Sequence, residues 1–197
     1  AGRIAQMCGA NDLVMTDASA CASSLKVMMQ VRELIMMYGF KRVIVMSFED
    51  AVSNLVLSFF GETGACLMDD SVLPSAFDKV NHSFHVAQGA VFAVFEHHDI
   101  AENPKAKLLS AYSASEQSTN AIGQLESGEG FIKAIRGALD NLYEFPISIV
   151  KTHGTGTQSN NIAEKNALDA VLVDKFIATS FKPTIGHTMG ASGLLET

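Results

Sequence analysis

"LVMTDASACASSLKVMMQVRELIMMYGFKRVIVMS", residues 13–47, holds the pattern that decides the fold. A short apolar run, Leu13–Asp17, follows the turn-forming Gly9-Ala10-Asn11-Asp12 and reads as a strand. After Cys21, the residues Leu25, Met28, Met29, Val31, Leu34, Ile35 and Tyr38 recur at three- and four-residue spacing, and Gly39 follows where a helix C-cap belongs. A second apolar run, Arg42–Ser47, closes the unit. Strand, helix, strand is the building block of layered α/β proteins, whose strand-end loops carry the chemistry.

The rest of the chain continues the alternation. "GAVFAVFE" (89–96) and "AKLLSAYS" (106–113) read as strands, separated by the polar turn "HHDIAENPK" with Pro104. Phe131, Ile135, Ala138 and Leu142 mark a helix, and "ISIVK" (147–151) a strand that runs into "HGTGT". "NIAEKNALDAVL" reads as a helix, "FIATS" as a strand and "GASGLLE" as the start of a last helix. No repeat or low-complexity tract interrupts them.

Composition narrows the class. The 197 residues are 48% hydrophobic and 18% charged, enough for a sizeable core. Apolar runs too short for a bilayer, and no secretion signal, point to a soluble cytoplasmic protein without membrane attachment. Cys8, Cys21 and Cys66 form neither a disulfide framework nor a zinc ribbon. A net charge of −7 with dispersed Lys and Arg argues against nucleic acid as a partner. The chain begins at Ala1 and stops inside a helical pattern, so a fragment is expected.

Three motifs hold candidate chemistry. Cys21 sits in "SACASSL" at a strand-to-helix junction, where a helix dipole lowers a thiol's pKa and backbone amides can donate to an oxyanion. For a lone cysteine the ordinary alternative is a small buried hydrophobe, and Cys8 and Cys66 receive that reading. "KTHGTGT" (151–157) places His153 at a strand end before glycines that let a backbone approach a ligand and threonines able to bond an amide arm. "SFKPTIGHTMGASG" (180–193) supplies His187, suited to proton handling, with Lys182 five residues upstream. Either histidine alone could be a core residue satisfied by backbone carbonyls; the combination is harder to dismiss.

In that order and at those strand ends, "SACASSL", "HGTGT" and "KPTIGHTMGASG" resemble the Cys-His-His signature of the β-ketoacyl-acyl-carrier-protein synthases, the condensing enzymes of fatty-acid and polyketide synthesis. "GRIA", "AFDKVNHSF", "VAQGAVFAVFE" and Glu196 fit the same pattern. The resemblance implies a thiolase-like, layered αβαβα fold, incomplete here: residues 1–197 would be the end of the N-terminal half and most of the C-terminal half of a ketosynthase domain. It implies Cys21 as nucleophile, His153 and His187 as donors to a malonyl thioester, Lys182 as electrostatic tuner with Glu196 as counter-charge, and Thr155 and Thr157 as binders of the phosphopantetheine arm. No metal or redox cofactor is implied. The implied partners are an acyl carrier protein and a second subunit, in a homodimer or a ketosynthase heterodimer. One oxyanion donor would be the Cys21 amide; the other, in a C-terminal glycine-rich loop, lies outside this chain.

Departures and rivals complete the reading. Asn160-Asn161 stand where the family has Gly-Asp, Ser19 where many relatives have threonine, and Asp17 one position further from the cysteine than in the polyketide-type pattern. A non-condensing, chain-length-factor-like partner is the alternative, which the retained Cys21 disfavours. A Cys-His-Cys acyltransferase is disfavoured by the two histidines. Carrier docking needs a basic patch, for which Lys26, Arg32, Lys41 and Arg42 are candidates, with ordinary solvated charges as the alternative. His82, His85, His97 and His98 are read as surface, and the Met-rich stretch around Met28 as core or dimer-facing helix.

Overall fold

The computed structural model describes residues 2–77, 83–116, 123–140, 142 and 145–197. Helix α1 spans Gly2–Met7, and the Cys21 turn, a 3-10 turn at Ala20–Ala22, leads into α2 (Ser23–Met36). There follow β1 (Arg42–Glu49), α3 (Asn54–Glu62), β2 (Gly89–Glu96), α4 (Glu129–Leu139), β3 (Ile149–Lys151), α5 (Gln158–Val171), β4 (Ile177–Thr179), α6 (Lys182–Ile185) and α7 (Ser192–Leu195). The α/β class expected from the alternation is what forms.

β1 and β2 pair antiparallel, with Val43 opposite Phe95, Val45 opposite Ala93 and Ser47 opposite Val91. Because strand side chains alternate, these residues share one face. α2 lays Met28, Val31 and Ile35 on that face at helical spacing, and Leu194 of α7 completes the core with Val45. Burial of each such side chain contributes about 1.5–3 kcal/mol. The opposite face carries Ile44, Met46, Phe48, Phe92 and Val94, all exposed.

β3 and β4 pair in parallel, Val150 opposite Ala178, so both strands end on the same side of their sheet. That geometry matters most for the site, since His153 follows β3 while Lys182 and His187 follow β4. Two short bridges stitch the 84–87 segment in: Cys66 to Phe84, and Val86 to His187.

The structure corrects several expectations. Leu13–Asp17 forms no strand: Leu13, Val14 and Met15 are exposed, and among the described residues no strand pairs with them. Residues 106–113 form none either; Leu108 instead leans on the core and the carbonyl of Leu109 accepts from Arg32 Nε. The helix expected to reach Leu142 stops at Leu139. α1, α3 and α6 were not anticipated. α3 begins at an N-cap, Ser53, whose hydroxyl accepts from the Val56 amide. The Met-rich helix divides as its period dictates, with Met28 buried, Met36 exposed at its last position and Met37 exposed just past its end. His82 lies outside the described residues. Among the described residues no helix is long and apolar enough to cross a membrane.

Candidate active site

Cys21 lies in the turn that starts α2, and the residue before it, Ala20, has φ of +49°. Only a few per cent of non-glycine residues take a left-handed φ, and here one stands directly before the cysteine. Its Sγ is 3.1 Å from His187 Nε2. The opposite ring nitrogen of His187, Nδ1, is 2.8 Å from the Ser192 hydroxyl, which is in turn 3.2 Å from Thr188 Oγ1. A hydroxyl can donate or accept, so His187 can present Nε2 either as an acceptor for the thiol proton or as an N–H donor.

His153 approaches from the other strand end. Its ring centroid is 5.3 Å from that of His187, nearly perpendicular. The loop that carries it is clamped by Glu164 of α5, a buried carboxylate that accepts from the backbone amides of His153 (2.6 Å) and Gly154 (2.7 Å) and from Asn160 Nδ2 (2.7 Å). Gly154, at φ +53°, is required where the loop crosses β4's continuation: a Cβ there would lie 2.4 Å from the Ser180 side chain. Ser180 Oγ uses the closeness to donate to the Gly154 carbonyl.

Lys182 is buried, and its Nζ donates to Glu196 Oε1 at 2.8 Å. The pairing inferred between these two residues is therefore a direct contact. Lys151, the last residue of β3, binds the second oxygen, Oε2. Thr155 and Thr157 bring their hydroxyls within 3.1 Å of each other, Thr155 buried and Thr157 at the start of α5.

Burial sets the charges. It pushes His153 down to about 3, with help from the Lys182 and Lys151 ammoniums. His187 falls to about 2 by the same burial, with His153, Lys182 and Lys151 adding to it. Both imidazoles are neutral at physiological pH. Lys182 is lowered, first by burial and also by Lys151, against the hydrogen bond and charge of Glu196. Cys21 is raised, by burial first; Lys182 opposes this and the carboxylate of Glu49 adds to it. The lowering expected at the helix terminus is thus reversed: desolvation outweighs a turn of partial charge. Cys21 rests as a thiol beside a neutral imidazole.

Around the sulfur the lining is apolar. Cys21 packs against the cluster of Ala51, Cys66, Phe84 and Met189, with Phe60 and Val86 beside it. The Phe84 ring meets His187 edge-on at 4.9 Å. A cleft of 480 Å³ between residues 4–20, α2 and β1 ends at Glu49 and Gly190 without including the sulfur in its lining.

Residues outside the cluster fall differently. Three of the four basic candidates behind Cys21 are engaged within the chain, Lys26 with Asp17 and the Ser19 hydroxyl, Arg32 with the Leu109 carbonyl and Arg42 with Glu96, while Lys41 is exposed. These three contacts tie the loop before Cys21 and the strand edge to the rest of the chain. His85 Nε2 meets the Val72 carbonyl. His97 and His98 each face the Asp99 carboxylate, at 3.2 and 2.9 Å. Asn160, where the resemblance expects glycine, gives its amide nitrogen to Glu164; its Oδ1 and that of Asn161 are buried without a partner.

Residues 1–101 match the β-ketoacyl synthase N-terminal domain and residues 106–197 its C-terminal domain. The chain belongs to the β-ketoacyl synthase family. The 3-oxoacyl-[acyl-carrier-protein] synthase 1 of Haemophilus influenzae is 28% identical over 187 residues, covering 91% of this chain and 45% of that protein. A non-reducing polyketide synthase of Emericella nidulans, pkiA, is 30% identical over 157 residues, covering 74% of the chain and 6% of that much longer protein. Among solved structures, a type II polyketide ketosynthase in complex with its acyl carrier protein (AntDE:AntF) superposes with a TM-score of 0.87 at 22% identity, over 99% of this chain and 51% of that one. The ketosynthase ApeO with its chain length factor ApeC, from Xenorhabdus doucetiae, gives 0.83 at 23%, over 99% and 47%. The ketosynthase fold, thiolase-like, is therefore that of this chain, which spans about half the length or less of these relatives.

Sequence reasoning picked out Cys21, His153, His187, Lys182 and Glu196, and the structure draws these five together. It missed Glu164, Ser192 and Lys151. Glu164 and Asn160 are four apart on one face of α5, a spacing that hinted at a shared partner. Ser192 carries no local signal, because its role depends on the turn at Met189–Ala191 folding it back onto His187.

Proposed function

We propose that this ketosynthase-family chain catalyses the decarboxylating condensation of an acyl group with a malonyl thioester, both delivered on the phosphopantetheine of an acyl carrier protein. The observation that carries the reading is the 3.1 Å approach of Cys21 Sγ to a neutral His187 Nε2, with His153 at its side. In the first half-reaction, His187 takes the thiol proton as Sγ attacks the acyl thioester carbonyl; the pantetheine sulfur leaves with a proton and the acyl group stays on Cys21. Splitting the transfer in two is what a covalent nucleophile achieves. In the second, the malonyl carboxylate leaves as carbon dioxide and the electron pair becomes an enolate at the thioester. N–H donors of His153 and His187 hold that oxygen, and the carbanion attacks the acyl-enzyme carbonyl, releasing the Cys21 thiolate and the 3-oxoacyl product.

Neutral imidazoles support this role, since they donate without requiring a proton from solvent. A preorganised donor of this kind is typically worth roughly a hundred- to a thousandfold in rate. The apolar lining from Phe60, Phe84 and Met189 suits an acyl chain and excludes water that would hydrolyse the acyl-enzyme. We place Thr155 and Thr157 against the pantetheine arm, and a second ketosynthase or chain-length-factor-like subunit as the oligomeric partner. Intact-protein mass spectrometry after mixing with acyl-carrier thioesters tests the reading. An acyl adduct present in the native protein and lost in Cys21→Ala is the expected result; no adduct with any chain length would turn the assignment to a non-condensing partner subunit.

A further inference from the structure

Glu196 is the meeting point of two cations from different strand ends. Its side chain is fully buried; Oε1 receives Lys182, 1% exposed, and Oε2 receives Lys151, 24% exposed. One lysine suffices to neutralise one carboxylate. A second carboxylate, Glu164, accepts from the His153 and Gly154 amides and from Asn160 and keeps its own negative charge. Within the Lys151–Glu196–Lys182 triad the second ammonium therefore leaves one net positive charge, next to two imidazoles and a thiol, and the carboxylate of Glu164 opposes it from α5.

We propose that Lys151 is a positioning residue of the condensing site: through Glu196 it fixes the place of Lys182, and it makes the Lys151–Glu196–Lys182 cluster a net cation facing His153 and His187. Both lysines grip one carboxylate, so β3 and β4 are tied at the point where each delivers a histidine. Rotation of the Glu196 carboxylate, which a single partner would allow, is blocked by the second. The groups facing Lys182 are Glu196 from the end of α7, Lys151 from β3, Glu164 from α5, the two histidines, and Cys21 from the turn before α2. Of these Lys151 alone adds a further full positive charge. Its effect runs in the direction chemistry needs. A nearby cation disfavours imidazolium, keeping His153 and His187 as neutral donors, and it favours the thiolate and the incoming carboxylate.

The inference rests on the condensing reading for its catalytic meaning, yet its test does not depend on turnover. In the full-length protein labelled with [13C-ε]lysine, the Lys182 titration is followed by NMR in the native protein, Lys151→Met, Lys151→Gln and Lys151→Arg. Loss of a like charge a few ångström away should raise the Lys182 midpoint by about one pH unit in the Met and Gln variants. Arginine, which keeps the charge and the reach to Glu196, should leave it near the native position. In parallel, malonyl-carrier decarboxylation should drop about tenfold in kcat with little change in KM for Met and Gln, and recover in Arg. A purely structural Lys151 would lower the melting temperature and leave the Lys182 midpoint in place, which would overturn the proposal. A shifted midpoint with arginine rescue, in a native protein that decarboxylates nothing, would uphold the electrostatic role of Lys151 and sink the condensing reading instead.

Discussion

Acidification to pH 5 should destabilise this protein through its two site histidines. An unfolded histidine binds a proton near pH 6.5, whereas His187 in the fold does so only near 2 and His153 near 3. Between those limits the unfolded chain holds protons the folded chain refuses, so stability falls as pH falls, by about 1.4 kcal/mol per unit per group. From pH 7 to pH 5 the loss is about 2 kcal/mol for His187. His153 keeps a rim of accessible surface, so its share is smaller, and the pair together should lose about 3–4 kcal/mol. Urea denaturation at pH 7 and pH 5 measures this directly. Replacing both imidazoles with glutamine removes the titration while keeping a polar side chain, so His153→Gln/His187→Gln should lose about 3–4 kcal/mol less over the interval than the native protein. The His187→Gln single variant should recover roughly half or more of that difference. Every other ionisable group is common to both proteins and cancels in the comparison. Equal losses in the native and doubly substituted proteins would refute the claim that the site holds neutral, desolvated imidazoles.

Two further substitutions probe the scaffold. Glu164→Ala strips the acceptor from two backbone amides and the Asn160 side chain, and should cost about 3–5 kcal/mol in urea unfolding, because each buried amide left unpaired costs about 1–3 kcal/mol; Glu164→Gln should retain part of that. An alanine variant as stable as the native protein would mean that the His153 loop is not held by this carboxylate. Gly193→Ala would put a Cβ 2.5 Å from Leu25 Cγ and 2.8 Å from Ser24 Oγ, wedging α7 from α2. A loss of about 1–3 kcal/mol in thermal or urea melts is expected, against no change for Gly2→Ala, which points into open space.

Much of the site was legible because its chemistry is local in sequence. A cysteine before a helical pattern, and histidines after two apolar runs, need only strand-end loops to become neighbours, and the pairing of β3 and β4 provides them. Strand periodicity likewise gave β1 and β2 nearly to the residue. Periodicity failed at residues 13–17 and 106–113, where an apolar run alone does not make a strand; a ladder needs a partner, and the partner is a tertiary matter. It also passed over α3, whose apolar residues "LVL" and "FF" are too continuous to show a helical face.

From the residues alone came the α/β class and the three chemical motifs, and the family resemblance those motifs carry implied the pairing of Lys182 with Glu196. The tertiary structure alone decided the charge states. Whether Cys21 is thiol or thiolate, and whether two histidines are neutral, depends on the balance of burial against neighbouring charge, which no spacing in the chain records. The same holds for Lys151, Glu164 and Ser192. Each acquires its role from a contact made across the fold: Lys151 binds a carboxylate 45 residues away, while Glu164 and Ser192 each meet a histidine loop that only folding back brings within reach.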